Sequence, residues 1–151
     1  MKRLIPLIIF IMLGFLQSCT QYGGRIGDLF GIWSLEEATL NNEPHSFGGR
    51  GITMSFQNKI IKTEFLYEDI YSSMSNYGNF VHDGDELILT YLTGDGAYND
   101  GYNQSSPTWL GFPATDKPII LKVLKLTHSK MILQYTTDAG DVYVYSFFKL
   151  A

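Results

Sequence analysis

The side chains able to do chemistry are few and widely spaced. The chain has one thiol, Cys19, and three imidazoles, His45, His82 and His128, none of them four residues from another. Metal ligands and catalytic bases usually come in close sets, so solvated histidines in or beside turns are the expectation. Carboxylates gather at Glu36-Glu37, at Glu68-Asp69, and at Asp83 with Asp85 and Glu86. Adjacent residues of a strand point to opposite faces, so Glu36 and Glu37 are not expected to act as one acid–base pair. Asp83 and Asp85 flank Gly84, where aspartate has a structural use in turns. The stretch GDGAYNDGYN offers Asp95, Asn99 and Asp100 as oxygen donors with a calcium-loop flavour. Ala97, however, stands where an EF-hand needs an oxygen, and the glycine is displaced by one, so a turn-rich loop is expected. There is no G-x-S-x-G and no H-E-x-x-H. No nucleophile can be named with its base, so the expectation is no catalytic residue, no metal and no cofactor.

The lone thiol has a context. Lys2 and Arg3 precede an apolar run from Leu4 to Phe15, broken only by Pro6 and Gly14. That run is too short to span a bilayer, which takes about 20 residues. It has the polarity order of a secretory signal, assigned to residues 1–18. Leu16-Gln17-Ser18-Cys19 resembles the bacterial lipobox: an apolar residue three before the cysteine, a small residue at the cut, and a thiol to accept a diacylglycerol group. Palmitate-type acyl chains would then hold the protein at a membrane, since one chain alone anchors only marginally. The alternatives are an ordinary signal that happens to end in cysteine, or a buried cysteine acting as a small hydrophobe. A single cysteine excludes an internal disulfide framework. Gly23, Gly24 and Gly27 make residues 19–28 read as a flexible tether. No acidic cluster follows Cys19, which favours the outer membrane's periplasmic face over the cell surface.

Without Lys2 and Arg3, nine basic and fifteen acidic side chains remain, a formal charge of −6. No basic patch exists to meet a phosphate backbone, so a nucleic-acid partner is not expected. Nor does the domain attract an anionic bilayer by charge. Its length suits one domain with one core.

The elements that must position any site count in twos. Ile52, Met54 and Phe56 alternate with Thr53, Ser55 and Gln57, and Met131, Leu133 and Tyr135 alternate with Ile132, Gln134 and Thr136, the mark of half-buried strands. Turn signals at Asn58-Lys59, Asp83-Gly84, Thr127–Lys130 and Thr137–Asp141 cut the pattern. Eight strands are predicted, at 31–40, 51–57, 60–67, 77–82, 85–93, 118–127, 131–137 and 142–150. Joined by tight turns, they predict an all-β fold, an eight-stranded antiparallel up-and-down barrel without exposed edges. Residues 68–76 read as a helical turn or lid-like loop. Residues 94–117 read as a long loop, and its aromatics Tyr98, Tyr102, Trp109 and Phe112 argue against simple disorder.

Gly31-Ile32-Trp33 resembles the first-strand G-x-W of lipocalins. The resemblance implies that Trp33 plugs the closed end and that Lys149, near the last strand, covers its ring. Leu124 to Leu150 is similar to the closing strands of lipocalin-like lipoproteins of Gram-negative gut bacteria. The resemblance implies a calyx-like barrel over residues 29–151 on a lipid anchor.

The expected inward set is Phe56, Phe65, Tyr91, Met131 and Tyr135, a mix of aromatic, thioether and phenol groups that suits an apolar pocket with a few polar points. Tyr98, Trp109 and Phe112 would close its mouth. The expected function is therefore a lipid-anchored envelope protein binding a small apolar or amphipathic molecule. The alternative is a solid barrel that docks an envelope protein or glycan through the aromatic loop 94–117.

Overall fold

Strands with one apolar face need cover for that face, and here the sheet supplies it by rolling onto itself. The computed structural model describes residues 27–68, 72–91, 102–103, 106–115 and 117–151. Ten strands occur among them: β1 (Gly31–Leu40), β2 (Glu43–His45), β3 (Gly51–Gln57), β4 (Ile60–Leu66), β5 (Ser73–Asp83), β6 (Glu86–Tyr91), β7 (Tyr102–Asn103), β8 (Ile119–Leu126), β9 (Lys130–Thr136) and β10 (Val142–Lys149). One 3₁₀ turn, Thr108–Leu110, is the helical content of the described residues. No helix among them is long and apolar enough to cross a membrane.

Eight strands make the ring, in the order β1-β3-β4-β5-β6-β8-β9-β10, each antiparallel to its neighbours. β10 closes it by pairing along β1, from Trp33 opposite Lys149 to Leu40 opposite Tyr143. The fold is thus a closed eight-stranded antiparallel barrel, as the alternation predicts. β2 hangs on the far half of β1, and the two-residue β7 runs parallel to β5.

Turn chemistry sets the registers. Asn58 has φ 55° between the paired residues Gln57 and Ile60, a left-handed conformation that asparagine tolerates. The Thr127 hydroxyl accepts the Lys130 N–H at 3.0 Å, and the Thr137 hydroxyl accepts the Asp141 N–H at 3.0 Å. The β5–β6 turn is Gly84-Asp85, closed by Asp83 opposite Glu86, one residue later than the Asp83-Gly84 reading.

Three further expectations are corrected. Residues 73–76 are not a lid or helical turn: they extend β5, with Ser73 to Asn76 opposite Leu66 to Thr63. The inward positions of this strand are Met74, Asn76, Gly78 and Phe80, and the polar and glycine members hide its alternation. The wall has two more short strands than predicted, β2 and β7. Glu36 and Glu37 are not on opposite faces. A bulge between Leu35 and Glu37 interrupts the β1–β10 register and leaves both carboxylates exposed.

The closed end is built around Trp33, which is fully buried. Its indole N–H donates to the Leu29 carbonyl at 2.7 Å, so the polar atom of the ring is satisfied. The Lys149 ammonium lies 5.1 Å from the ring centroid and donates to the Asp28 carbonyl at 3.0 Å. Gly31 has φ 125°, and a Cβ there would meet the Ala151 carbonyl and come within 2.7 Å of Lys149 Cε. Only glycine lets the chain turn into the barrel this close to its other end.

Two substitutions test this closure. Lys149→Met removes the cation over the ring and is expected to cost about 0.5–1 kcal/mol. Trp33→Phe leaves the Leu29 carbonyl without its donor and is expected to cost roughly 1–3 kcal/mol. Urea midpoints at unchanged m-value measure both.

Candidate functional site

Inward alternation brings one side chain in two from each strand to the barrel axis. Phe56, Phe65, Tyr91, Met131 and Tyr135 are all buried on that inner surface. They do not form one site. Phe56 sits opposite Gly31 near the closed end and packs edge-on against Phe80 at 5.1 Å. Met131, opposite Phe147, also lies in the lower half. Phe65, Tyr91 and Tyr135 belong to the other, mouth end. Between the two levels Met54, Ile61, Leu89, Leu121 and Leu133 are buried at 2% exposure or less, so packed side chains occupy the axis there.

The mouth end is where polarity enters. Tyr91 stands opposite Gly78, which has no side chain, so its ring can lie across β5 toward β4. There its hydroxyl meets Thr63 Oγ1 at 2.6 Å, and both residues are buried. Asn76, directly opposite Thr63, is also fully buried. A hydroxyl pair inside an apolar barrel is tolerable because each group has the other; either alone would leave an unsatisfied polar atom. On the facing wall, Tyr143 and Tyr145 stack at 6.0 Å, with Tyr135 beside Tyr143 at 6.5 Å.

A loop closes this end. Ser106 ties its two limbs, donating to the Pro113 carbonyl and accepting the Thr115 N–H at 3.2 Å. The 3₁₀ turn ends at Gly111, whose φ is 80° and where a Cβ would press on the Tyr143 ring at 2.7 Å. The tight turn points Leu110 and Phe112 inward, and both are buried. The Tyr145 hydroxyl donates to the Leu110 carbonyl at 2.6 Å, and Phe112 packs edge-on against Tyr135 at 5.1 Å. Trp109 covers Phe65 at 5.4 Å. Its indole N–H is buried and has no hydrogen-bond partner among the described residues. The described part of the loop, 106–115, is therefore a plug rather than a displayed aromatic surface. Tyr98 and Cys19 lie outside the described residues, as do Asp95, Asn99 and Asp100. Among the described residues no three His, Cys, Asp or Glu side chains come together to hold a metal.

Sequence reading missed several members of the mouth. Tyr143 and Tyr145 carry the ordinary period-two signal of VYVYSFF and were legible. Phe47 was not: it lies between strands, yet it stacks on Tyr145 at 6.0 Å and takes His45 edge-on at 4.6 Å. His45 is correspondingly half-buried in β2, not solvated in a turn.

Burial pushes the Tyr91 and Tyr145 hydroxyls far above the ordinary tyrosine value of 10.0, and pushes Tyr135 up more modestly. Raised proton affinity in the folded state means full stability below about pH 10 and loss as pH climbs above it. Alkaline unfolding is expected to begin above pH 10, with these two tyrosines absorbing at 295 nm only as the barrel opens. Replacing both by Phe is expected to flatten the alkaline limb of the pH–stability curve, while costing roughly 1–3 kcal/mol for each buried partner left unpaired, Thr63 Oγ1 and the Leu110 carbonyl, at neutral pH.

Comparison with known proteins agrees with this architecture. Residues 12–140 match the model of a lipocalin-like domain family. A lipocalin-like protein from Bacteroides uniformis superposes with a TM-score of 0.60 at 22% identity, over 82% of this chain and 100% of its own. An uncharacterized protein from Bacteroides eggerthii superposes with a TM-score of 0.59 at 22% identity, over 80% of this chain and 98% of its own. No curated protein matches in sequence. With a family match across most of its length and a closed eight-stranded antiparallel barrel, the chain belongs to the lipocalin-like domain family.

Proposed function

We propose that this protein is a non-catalytic binding protein of the bacterial cell envelope. It takes a small apolar or amphipathic molecule at the mouth end of its barrel and is held by acyl chains on Cys19, at the periplasmic face of the outer membrane. The observation that carries the binding reading is the make-up of the mouth. An aromatic, phenol-bearing mouth is closed by a loop rather than a strand, and there Trp109 presents a buried N–H with no acceptor among the described residues. A purely structural core has no use for an orphan donor, whereas a ligand with an oxygen would satisfy it. Affinity then comes from apolar area removed from water at roughly 25 cal/mol per Å², less the cost of ordering the plug.

The reading of loop 94–117 as a docking surface loses its described aromatics, because Phe112 is buried and Trp109 lies over Phe65. The anchor reading rests on residues 2–19 alone, where positive charge, apolar run, small residue and thiol arrive in order.

The chain has two tryptophans, Trp33 sealed at the closed end and Trp109 at the mouth. Protein purified from its native membrane is expected to carry a co-purifying small molecule in native mass spectrometry. Adding that molecule back is expected to change tryptophan emission in wild type but not in Trp109→Phe. Absence of any bound species together with unchanged emission across a lipid panel argues for a solid barrel. For the anchor, Cys19→Ser is expected to yield unacylated protein that leaves the detergent phase in Triton X-114 partitioning; wild-type partitioning of that variant overturns the lipoprotein reading.

A further inference from the structure

The ring has a defect in its wall. β1 is bordered by β3 only from Gly31 to Ser34, and by β2 only from Ala38 to Leu40. Between them, Leu35 to Glu37 have no strand beside them on that edge among the described residues. The bulge between Leu35 and Glu37 lies in this interval. A groove of about 360 Å³ occupies the gap, with Leu35 to Ala38 on one side, Gly51 and Ile52 on the other, and Pro44 to Arg50 as the roof.

The groove has an apolar floor and a polar rim. Ala38 and Ile52, on the inward faces of their strands, are buried at 7% and 2% exposure. Phe47 forms the inner wall, stacked on Tyr145 at 6.0 Å and Tyr143 at 6.3 Å. Beyond it lies the aromatic chamber of the mouth. Gly49 of the roof backs onto Phe65, the ring that Trp109 covers. At the rim, Lys130 holds Glu36 at 2.8 Å. Glu37 and Arg50 have no ion-pair partner among the described residues. Glu37 also lies in the field of Lys130, so the two carboxylates are balanced by Lys130 and Arg50, and the rim carries no net charge but offers donors and acceptors to a polar head.

We infer that this lateral groove, rather than the plugged axis, is where the ligand is seated, and that the ligand is a neutral amphipath. Its apolar body lies on Ala38, Ile52 and Phe47, and its head sits at the rim between Glu37 and Arg50. The size fits: about 360 Å³ is at the lower end of small-molecule sites, and equals the volume of about a dozen waters at roughly 30 Å³ each. The axis is the poorer seat, because Leu110 and Phe112 already fill its mouth and are tied there through Tyr145. The inference rests on the reading that this protein binds a small apolar or amphipathic molecule, and it moves the seat from beside Trp109 to the neighbouring groove, whose lining does not include Trp109. A ligand seated there leaves the emission of Trp109 unchanged, so the emission test and the labelling map separate the two seats.

The test is photolabelling of the acylated protein in native membranes with a neutral medium-chain alcohol carrying an alkyl diazirine, followed by peptide mapping. Label on residues 35–38 and 47–52 is expected. Ala38→Phe fills the floor and is expected to lower that label about tenfold. Should Ala38→Phe fail to fold, Ser46→Trp, which puts an indole on the exposed roof, is expected to do the same. Label on Leu110, Phe112 or Tyr135 with the groove unlabelled overturns the lateral seat and leaves the binding reading standing, as does groove label that neither variant reduces. Label confined to outer-wall residues such as Phe148 and Leu150, or none at all, overturns both.

Discussion

Pairing of β1 with β10 is the interaction on which the rest of the molecule depends. Until that seam forms, the sheet is a flat ribbon with two open edges and one greasy face. Once it forms, every inward side chain has neighbours on all sides and both edges disappear. The seam also brings the start of β1 and the last residues of the chain together. The Ile32 N–H donates to the Ala151 carbonyl at 2.7 Å, and the Leu150 N–H donates to the Ile32 carbonyl at 2.7 Å. Trp33 meets Lys149 as part of the same contact, so the closed end follows directly from the seam. Such long-range pairing must be made before its contacts reward it, which makes it the step that limits folding speed in topologies of this kind.

The two ends of the barrel differ in kind. At the closed end the buried polar tip of the Trp33 indole is satisfied by the backbone four residues away. At the mouth, phenols and hydroxyls gather inside, and their satisfaction depends on long-range partners: Tyr91 on Thr63, Tyr145 on the plug. The closed end is therefore pinned by the seam itself, with its indole donor satisfied by nearby backbone. The mouth is held in part by the plug, through the Leu110 carbonyl that Tyr145 reaches. That asymmetry is what a binding protein needs, since stability can reside at one end while the other exchanges partners.

Much of the ring was legible in the sequence because period two is hard to mistake when every inward residue is apolar. Ile52-Met54-Phe56 and Met131-Leu133-Tyr135 read correctly for that reason. The start of β5 was not legible, since Asn76 and Gly78 occupy inward positions and erase the contrast. Glu36 was misread because a bulge inserts one residue and shifts the face of everything around it, and nothing in LEEA announces it. Of the site, the strand-borne aromatics could be named from alternation alone. Phe47, Leu110 and the Thr63–Tyr91 pair could not. Loop residues acquire a direction only from tertiary contacts, and a threonine on an apolar face reads as an exception until its partner is seen.

The short strand β2 is hydrogen-bonded to the ring through the far half of β1, while β10 pairs along β1 from the other side. Residues 43–49 therefore lie beside the hydrogen-bonded circuit, fastened at their ends by Asn41 to Val142 and by Arg50 to Leu66. A change of side chain at the exposed Ser46 alters the roof of the lateral groove without touching a strand pairing. The frame is fixed by strand pairing and the roof by a segment that bridges strands, so the two can vary separately.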